Sequence, residues 1–447
     1  MELKELAKTL NENGYSVTFL VANYGSNNRH EFSIEEEVNK LIENNNIDAR
    51  LLEMDQSFED TFSTSSQQLA LPSNWAQEQI SSDNPLYWQL TKCRSVTFYQ
   101  ETFYLGIAEI GSITSGFALF YQLGITNTIA TTATPAIPIF YHLLDLKLPV
   151  EVPEHYSAQK GDGLINADIR SSGERQSDNI ERYKKLIKEF KQIYEDDYQE
   201  FYKNAKKFAF KKIKNEGIYS VKDIKKYLKD LKKIPPLTQL FANIKYFLVN
   251  HTKIAAYPRP LNNKIKFIGG VAIPDYIINA YKEKILIGTL ASFRGIDQEK
   301  LKTMFETFEN YSKCHFLVRI GSDVLVNNGI ENNGIPKNVY IIEDIIPLKE
   351  ILAQKNTKIA IIHCGQNTLT EALYAGVPVI CIPLLGDQRY NASVVEYKNV
   401  GIWVQAPYFV QQFPGAMEQI LGQEFHDSGS SSNTRSVEHI DPNIDRH

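Results

Sequence analysis

Between Lys284 and Val404 the apolar runs "ILIG", "HFLVRI", "VYIIED", "KIAIIH" and "VPVICIP" recur among stretches of helical character, "DQEKLKTMFETFENY", "PLKEILA", "NTLTEALYA" and "RYNASVVEYKNV". Runs of strand length that do not alternate with polar residues fit strands buried on both faces, as in a parallel sheet flanked by helices. Parallel neighbours need a crossover connection, usually a helix, and the spacing here supplies one. This pattern admits few folds besides an open α/β layer, whose ligands gather at the carboxyl ends of the strands. A sparser version runs through the first part: a helix with Leu3, Leu6 and Leu10 inward, then "SVTFLVA", "FYLGIAEI", the helical "SGFALFYQLG", "TNTIATTA" and "YFLVN". Two doubly wound α/β halves facing each other is the expectation, and 447 residues exceed what one core usually organises.

The boundaries follow from the connecting text. Residues 1–262 form the first half; 263–282, after the Pro-rich "AYPRPLNNK", are a linker; 283–410 form the second half; and 411–447, ending in the Ser-rich "HDSGSSSNTRSVEHIDPNIDRH", are a disordered tail without apolar periodicity. From Glu181 to Lys233, Lys, Glu and aromatic residues recur at helical spacing. A basic surface is one reading and a solvated pair of amphipathic helices the other; interleaved acidic residues favour the second. The net charge of −5 gives no general reason to bind nucleic acid. Cys93, Cys314, Cys364 and Cys381 lack C-x-x-C spacing, which argues against a zinc site or a dense disulfide framework. The first residues read as helix and strand rather than signal peptide, and no apolar run reaches the ~18 residues of a membrane span, so the chain as written is expected to be soluble.

The densest chemistry lies in "KIAIIHCGQNTLTEALYAGVPVICIPLLGDQRYNA". His363 ends a buried strand. Gly365 is expected to make the sharp turn, Asn367 and Thr368 to cap the following helix, and Gly376 to stop it. Such a helix start, with its unpaired amides and positive dipole end, suits phosphate; His363 and Thr368 add side-chain donors. Glu371, one turn beyond Thr368, suits ribose hydroxyls. The next unit places Asp387 and Gln388 at a strand's carboxyl edge, where a carboxylate and an amide suit sugar hydroxyls. Taken singly, a strand-terminal histidine and an Asn-Thr helix start are also ordinary structural features. Cys364 beside His363 is not expected to act as a nucleophile, because adjacent residues leaving a strand point to opposite sides.

The stretch "HCGQNTLTEALYAGVPVICIPLLGDQRYNA" resembles the donor-binding signature of the animal UDP-glycosyltransferases of the UDP-glucuronosyltransferase type, in a nematode-like style. Looser similarity covers "LAKTLNENGYSVTFL", "YLGIAEI", "LFANIKYFLVNHTKIAAYPRP" and "IKFIGGVAIP". The resemblance implies the GT-B fold, two facing Rossmann-like domains with an acceptor pocket in the first and the UDP-sugar held mainly by the second. It assigns His363, Gly365, Asn367 and Thr368 to the diphosphate, Glu371 to the ribose, Asp387 and Gln388 to the sugar, Arg319 to the nucleoside side and Thr289 to the first loop. The implied reaction moves a hexosyl or glucuronosyl group from UDP-glucose or UDP-glucuronic acid to a small lipophilic hydroxyl acceptor, xenobiotics included, with inversion. Neither metal nor other cofactor is implied, an endoplasmic reticulum membrane setting is, and oligomerisation is left open.

Departures from the family pattern bear on the chemistry. The family's base is a histidine at the start of the first helix, oriented by an acidic residue; Glu109 stands at the acidic position, while the chain starts at or just before that helix without the histidine, and His30 and His142 lie in later segments. Ile345 and Leu348 stand where the family carries Trp and Gln beside uracil, Cys364 replaces a glycine, "IGTLAS" is altered, and the carboxyl-terminal helices and anchor are expected to be missing after Val404. Two readings follow: an inverting glycosyltransferase, or a non-catalytic UDP-sugar-binding relative lacking the base histidine. A nucleotide-sugar epimerase of similar architecture is a third.

Overall fold

A computed structural model of the chain describes residues 2–23, 47–53, 103–110, 235–270, 287–290 and 296–422, and parts of 117–164 and 179–188, some of these with short gaps. The expected helical stretch from Glu181 to Lys233 lies largely outside the described residues, as do His30, Cys93, Ile345 and everything beyond residue 422.

Helix α1 (Glu2–Glu12) precedes β1 (Thr18–Asn23), which pairs in parallel with β2 (Asp48–Glu53) as a separate ribbon. A four-stranded parallel sheet follows, in the order β3 (Gly106–Glu109), β4 (Thr128–Thr132), β5 (Tyr246–Val249), β6 (Ile265–Phe267). Short helices α2 (Pro138–Leu143) and α3 (Leu237–Ala242) cover it. Phe140 of α2 and Phe241 of α3 form a core with Phe117 and with Phe247 of β5, each at most 2% exposed. The Phe247 ring meets those of Phe140 and Phe241 edge-on at 5.7 and 5.6 Å, the preferred geometry for aromatic pairs. Residues 265–267, expected within the linker, instead form the outer strand of this sheet: Ile265 pairs with Phe247 and is buried, so the apolar side chain fixes a register that the Pro-rich flank obscured.

The second sheet has six parallel strands in the order β12-β11-β10-β7-β8-β9: β7 (Ile287–Leu290), β8 (His315–Arg319), β9 (Val339–Ile342), β10 (Ala360–Ile362), β11 (Val379–Cys381) and β12 (Gly401–Trp403). The chain winds outward from β7 to β9, returns to β10 beside β7, then winds outward the other way. The order reverses between β7 and β10, the position at whose carboxyl edge open α/β sheets bind their ligands. Helices α4 (Gln298–Glu309), α5 (Ser322–Asn327), α6 (Leu348–Leu352), α7 (Gln366–Tyr374) and α8 (Gln388–Lys398) cross between strands. Asp297 caps α4 through its side chain, accepting from the Lys300 N–H at 3.0 Å.

Helix α9 (Phe409–Leu421) corrects the expectation of a disordered tail from residue 411 and of missing helices after Val404. Its Phe409, Phe413, Ala416, Met417 and Leu421 are buried against α4 and the sheet, with Phe413 edge-on to Phe308 at 5.9 Å. Gln411, Gln412, Pro414 and Gly415 interrupt the text, but the apolar residues fall on one face at helical spacing.

Candidate functional site

Strand β10 is buried throughout and delivers the chain to the carboxyl edge of the sheet at its reversal point. The sharp turn is made by Cys364, at φ 61°, a conformation uncommon outside glycine. Gly365 is the N-cap, in ordinary extended geometry (φ −60°, ψ 145°), and α7 begins at Gln366. The expectation that Gly365 turns the chain and that Asn367 and Thr368 cap the helix is therefore corrected: both lie inside the first turn. Two contacts hold Cys364 in place. Its carbonyl accepts from Asn391 Nδ2 at 2.8 Å, and its sulfur pairs with that of Cys381 on β11 in a disulfide with Cα atoms 5.4 Å apart.

The N-cap residue Gly365 has no side chain to cap α7, and the Asp387 carboxylate meets the backbone amide of Gln366, the first residue of the helix. The first-turn N–H groups, which have no intrahelical acceptors, thus sit at the sheet's reversal point with the positive end of the helix dipole. A Cβ built on Gly365 meets nothing within 4 Å, so the approach to these amides is open. Gly376 ends the helix as expected, at φ 67°, with Val377 N–H donating to the Ala372 carbonyl at 3.0 Å. His363 is half-buried, and burial holds its imidazole below the ordinary range; at neutral pH it is an uncharged ring carrying one N–H donor.

Glu371 lies on α7, 3.8 Å from the Lys349 ammonium, with its pKa raised by burial against that opposing charge. Asp387 precedes α8; burial raises its pKa, and the Asn391 amide, donating to Oδ2 at 2.8 Å, opposes this. Gln388 opens α8, its Oε1 accepting from Leu384 N–H at 2.8 Å. The structure therefore brings His363, Gly365, Asn367, Thr368, Glu371, Asp387 and Gln388 onto two adjacent strand–helix units, Glu371 one turn into α7. Thr289 lies on β7 beside β10, where Leu290 pairs with Ile361. Arg319 ends β8, half-buried and opposite Ile342 of β9.

Glu109 belongs to the other sheet. It is exposed at the end of β3 and accepts from the Ala133 N–H at 3.2 Å. His142 is exposed on α2, and Leu348 is partly buried against the core beneath α7 and α8.

Contacts between the halves were not evident from the sequence. Asn250, directly after β5, donates to Asn367 Oδ1 at 2.7 Å. Arg259 lies half-buried between α2 and α8, donating to the Ala136 carbonyl at 3.0 Å and to the hydroxyls of Tyr141 and Tyr390. His155 stacks on Tyr390 at 4.1 Å; burial, then Arg259 and His251, hold its ring neutral. Tyr257 donates to the Ser393 carbonyl at 3.0 Å, and Gly161 N–H to Glu396 Oε2 at 2.9 Å. Helix α8, which carries the Asp387–Gln388 turn, is thus clamped from the first half. Only the polar residues of "NHTK" and "YPRP", set in otherwise apolar text, hinted at this.

Residues 219–428 match the family profile described as UDP-glucoronosyl and UDP-glucosyl transferase. Over these residues the chain is similar to the UDP-glycosyltransferase family. Among curated relatives, the putative UDP-glucuronosyltransferase ugt-50 of Caenorhabditis elegans is 24% identical over 221 residues, covering 46% of this chain and 41% of that protein. Mouse UDP-glucuronosyltransferase 1A9 is 26% identical over 176 residues, covering 37% and 32%. The matched part of the chain thus spans less than half the length of either relative. Two solved structures share the GT-B architecture at a TM-score of 0.55. They are a Polygonum tinctorium UDP-glucosyltransferase capable of glucosylating indoxyl, 16% identical and covering 96% of this chain and 86% of that one, and the glycotransferase of kitacinnamycin, 14% identical and covering 94% and 85%. The expected two facing Rossmann-like domains are the architecture found. Among the described residues no helix is long and apolar enough to cross a membrane.

Proposed function

We propose that this chain binds a UDP-sugar at the turns after β10 and β11 and transfers the hexosyl or glucuronosyl group, with inversion, to a small lipophilic hydroxyl acceptor. The observation that carries the reading is the start of α7, open over Gly365 at the reversal point of the sheet and with no side-chain cap from its N-cap residue. A diphosphate there meets the first-turn amides, the His363 ring, the Thr368 hydroxyl and the Asn367 amide; Glu371 takes the ribose, and Asp387 with Gln388 the transferred sugar. Thr289 and Arg319 border the nucleoside side.

In the transfer, the acceptor oxygen forms a bond to the anomeric carbon as the bond to the UDP oxygen breaks, and UDP leaves with the electron pair. The growing negative charge on that oxygen falls on the helix start and its donors, a preorganised stabilisation of the kind that dominates many enzyme accelerations. In this reading no metal is required for that charge. The acceptor's proton needs a base, and Glu109, at the carboxyl edge of the facing sheet, is the candidate acidic partner for it. An endoplasmic reticulum setting fits the pairing of Cys364 with Cys381, since disulfides persist in oxidising compartments.

Calorimetry with UDP tests the donor site. Micromolar binding is expected, weakened about tenfold or more by Glu371→Ala, because ribose hydroxyls lose a charged acceptor. Absence of UDP binding by the intact chain would refute the reading. UDP release in the presence of a UDP-sugar and a lipophilic phenol tests transfer, and binding without release would leave a UDP-sugar-binding protein only.

A further inference from the structure

The Asn250–Asn367 contact joins the carboxyl edge of one sheet to the first turn of α7 in the other. Amide oxygen and nitrogen look alike in outline, so which end faces which partner follows from hydrogen-bond logic. The Asn250 side chain is 2% exposed and within 2.9 Å of the Ala133 carbonyl. A carbonyl only accepts, so the atom facing it is Nδ2, a donor. The same Nδ2 is 2.7 Å from one end of the Asn367 amide, and that end must accept. It is therefore Oδ1, and the Asn367 NH2 group is turned the other way. Asn250 cannot rotate to relax this choice, because its backbone N–H is tied to the Thr132 carbonyl at 2.9 Å and its two side-chain hydrogens are both committed.

Asn367 is the second residue of α7 and is exposed. With Oδ1 pinned, its NH2 is presented as a donor beside the amides at the helix start; with the amide reversed, a carbonyl lone pair would be presented there instead, repelling an anion. From this we infer that Asn250 is a positioning residue: it reaches across from the first domain and fixes Asn367 in the donor-presenting orientation that a diphosphate needs. The inference rests on the donor-site reading above. It also gives the first domain a part in binding UDP without touching it, so the affinity of the donor site depends on the two halves being docked.

The test is a double-mutant cycle on the full chain, with UDP and uridine affinities measured by calorimetry for the unsubstituted protein, Asn250→Ala, Asn367→Ala and the double variant. Releasing the Asn367 amide is expected to weaken UDP by about three- to tenfold, the scale of one oriented hydrogen bond. Uridine, which lacks the phosphates, should change less than about twofold, and Asn250→Ala should cost nothing more once Asn367 is already alanine. Equal UDP affinity in Asn250→Ala and the unsubstituted chain would overturn the inference, as would a parallel loss of uridine or an Asn250→Ala effect that persists undiminished in the Asn367→Ala background, since those mark general damage to the fold. Failure of the unsubstituted chain to bind UDP would overturn the donor-site reading itself, and this inference with it.

Discussion

Replacing Glu396 by glutamine should remove a pH dependence from the docking of the two halves. Glu396 lies on α8, 7% exposed, and accepts from the Gly161 N–H of the first half. Burial pushes its pKa up to about 7, against the opposing help of the Gly161 amide and the Lys160 charge. A carboxyl whose folded pKa lies above its unfolded one stabilises the fold while protonated: the contribution is complete below about 4.5 and is lost as pH rises through about 7. The gap between those values, at ~1.4 kcal/mol for each pH unit, gives about 3 kcal/mol. His155 and His251 act in the opposite sense, because burial depresses both and their contribution is lost as pH falls below the ordinary histidine range. The comparison must therefore be made against a variant that retains both rings. Glu396→Gln keeps an acceptor for Gly161 and cannot titrate. Urea unfolding of both proteins from pH 4.5 to 8 should show the native chain losing about 3 kcal/mol relative to Glu396→Gln across that interval. Parallel pH profiles would refute the reasoning, because they would mean that Glu396 titrates identically in the folded and unfolded chains.

Phe413→Ala, which empties a fully buried position between Phe308 and Phe409, should cost about 3–5 kcal/mol; a loss under about 1 kcal/mol in denaturant unfolding would show that α9 is not part of the core. Of the three Asn-x-Ser/Thr sequons, Asn250 and Asn391 are buried with their Nδ2 atoms hydrogen-bonded, while Asn310 is exposed at the end of α4. Folded protein passed through a secretory host should therefore carry N-linked glycan at Asn310 alone, and glycopeptide mapping that finds glycan on Asn391 in folded chain would contradict this.

The strands of the second sheet were legible because burial on both faces writes them as unbroken apolar runs; "KIAIIH" and "VPVICIP" contain β10 and β11. Strand β12 and helix α5 were missed, since three residues or one polar turn and a half carry too little periodicity. Helix α9 was hidden by Pro414 and its glutamines, although its apolar face was present in the text. The site was legible as a set of residue types but not as geometry. Which residue turns the chain depends on Cys364 being held by Cys381 and Asn391, and those contacts arise from the register of neighbouring strands rather than from anything local. Asn250 was invisible for the same reason, being 117 residues from its partner.

These contacts bear on why the two turns form one site. Asn391 donates both to the Cys364 carbonyl behind the first turn and to Asp387 at the second, so the proposed diphosphate and sugar subsites share a buried strut. Helix α8, which carries that strut, is held by Tyr257, Arg259 and Gly161 of the first half, and the first turn is met by Asn250. The first half therefore sets the geometry of both turns through separate hydrogen bonds. If the proposed donor site holds, the Asn250 route bears on UDP affinity and the α8 route on placement of the sugar. Substitutions along the two routes should then separate, the first changing UDP affinity and the second changing discrimination between UDP-sugars at nearly constant UDP affinity.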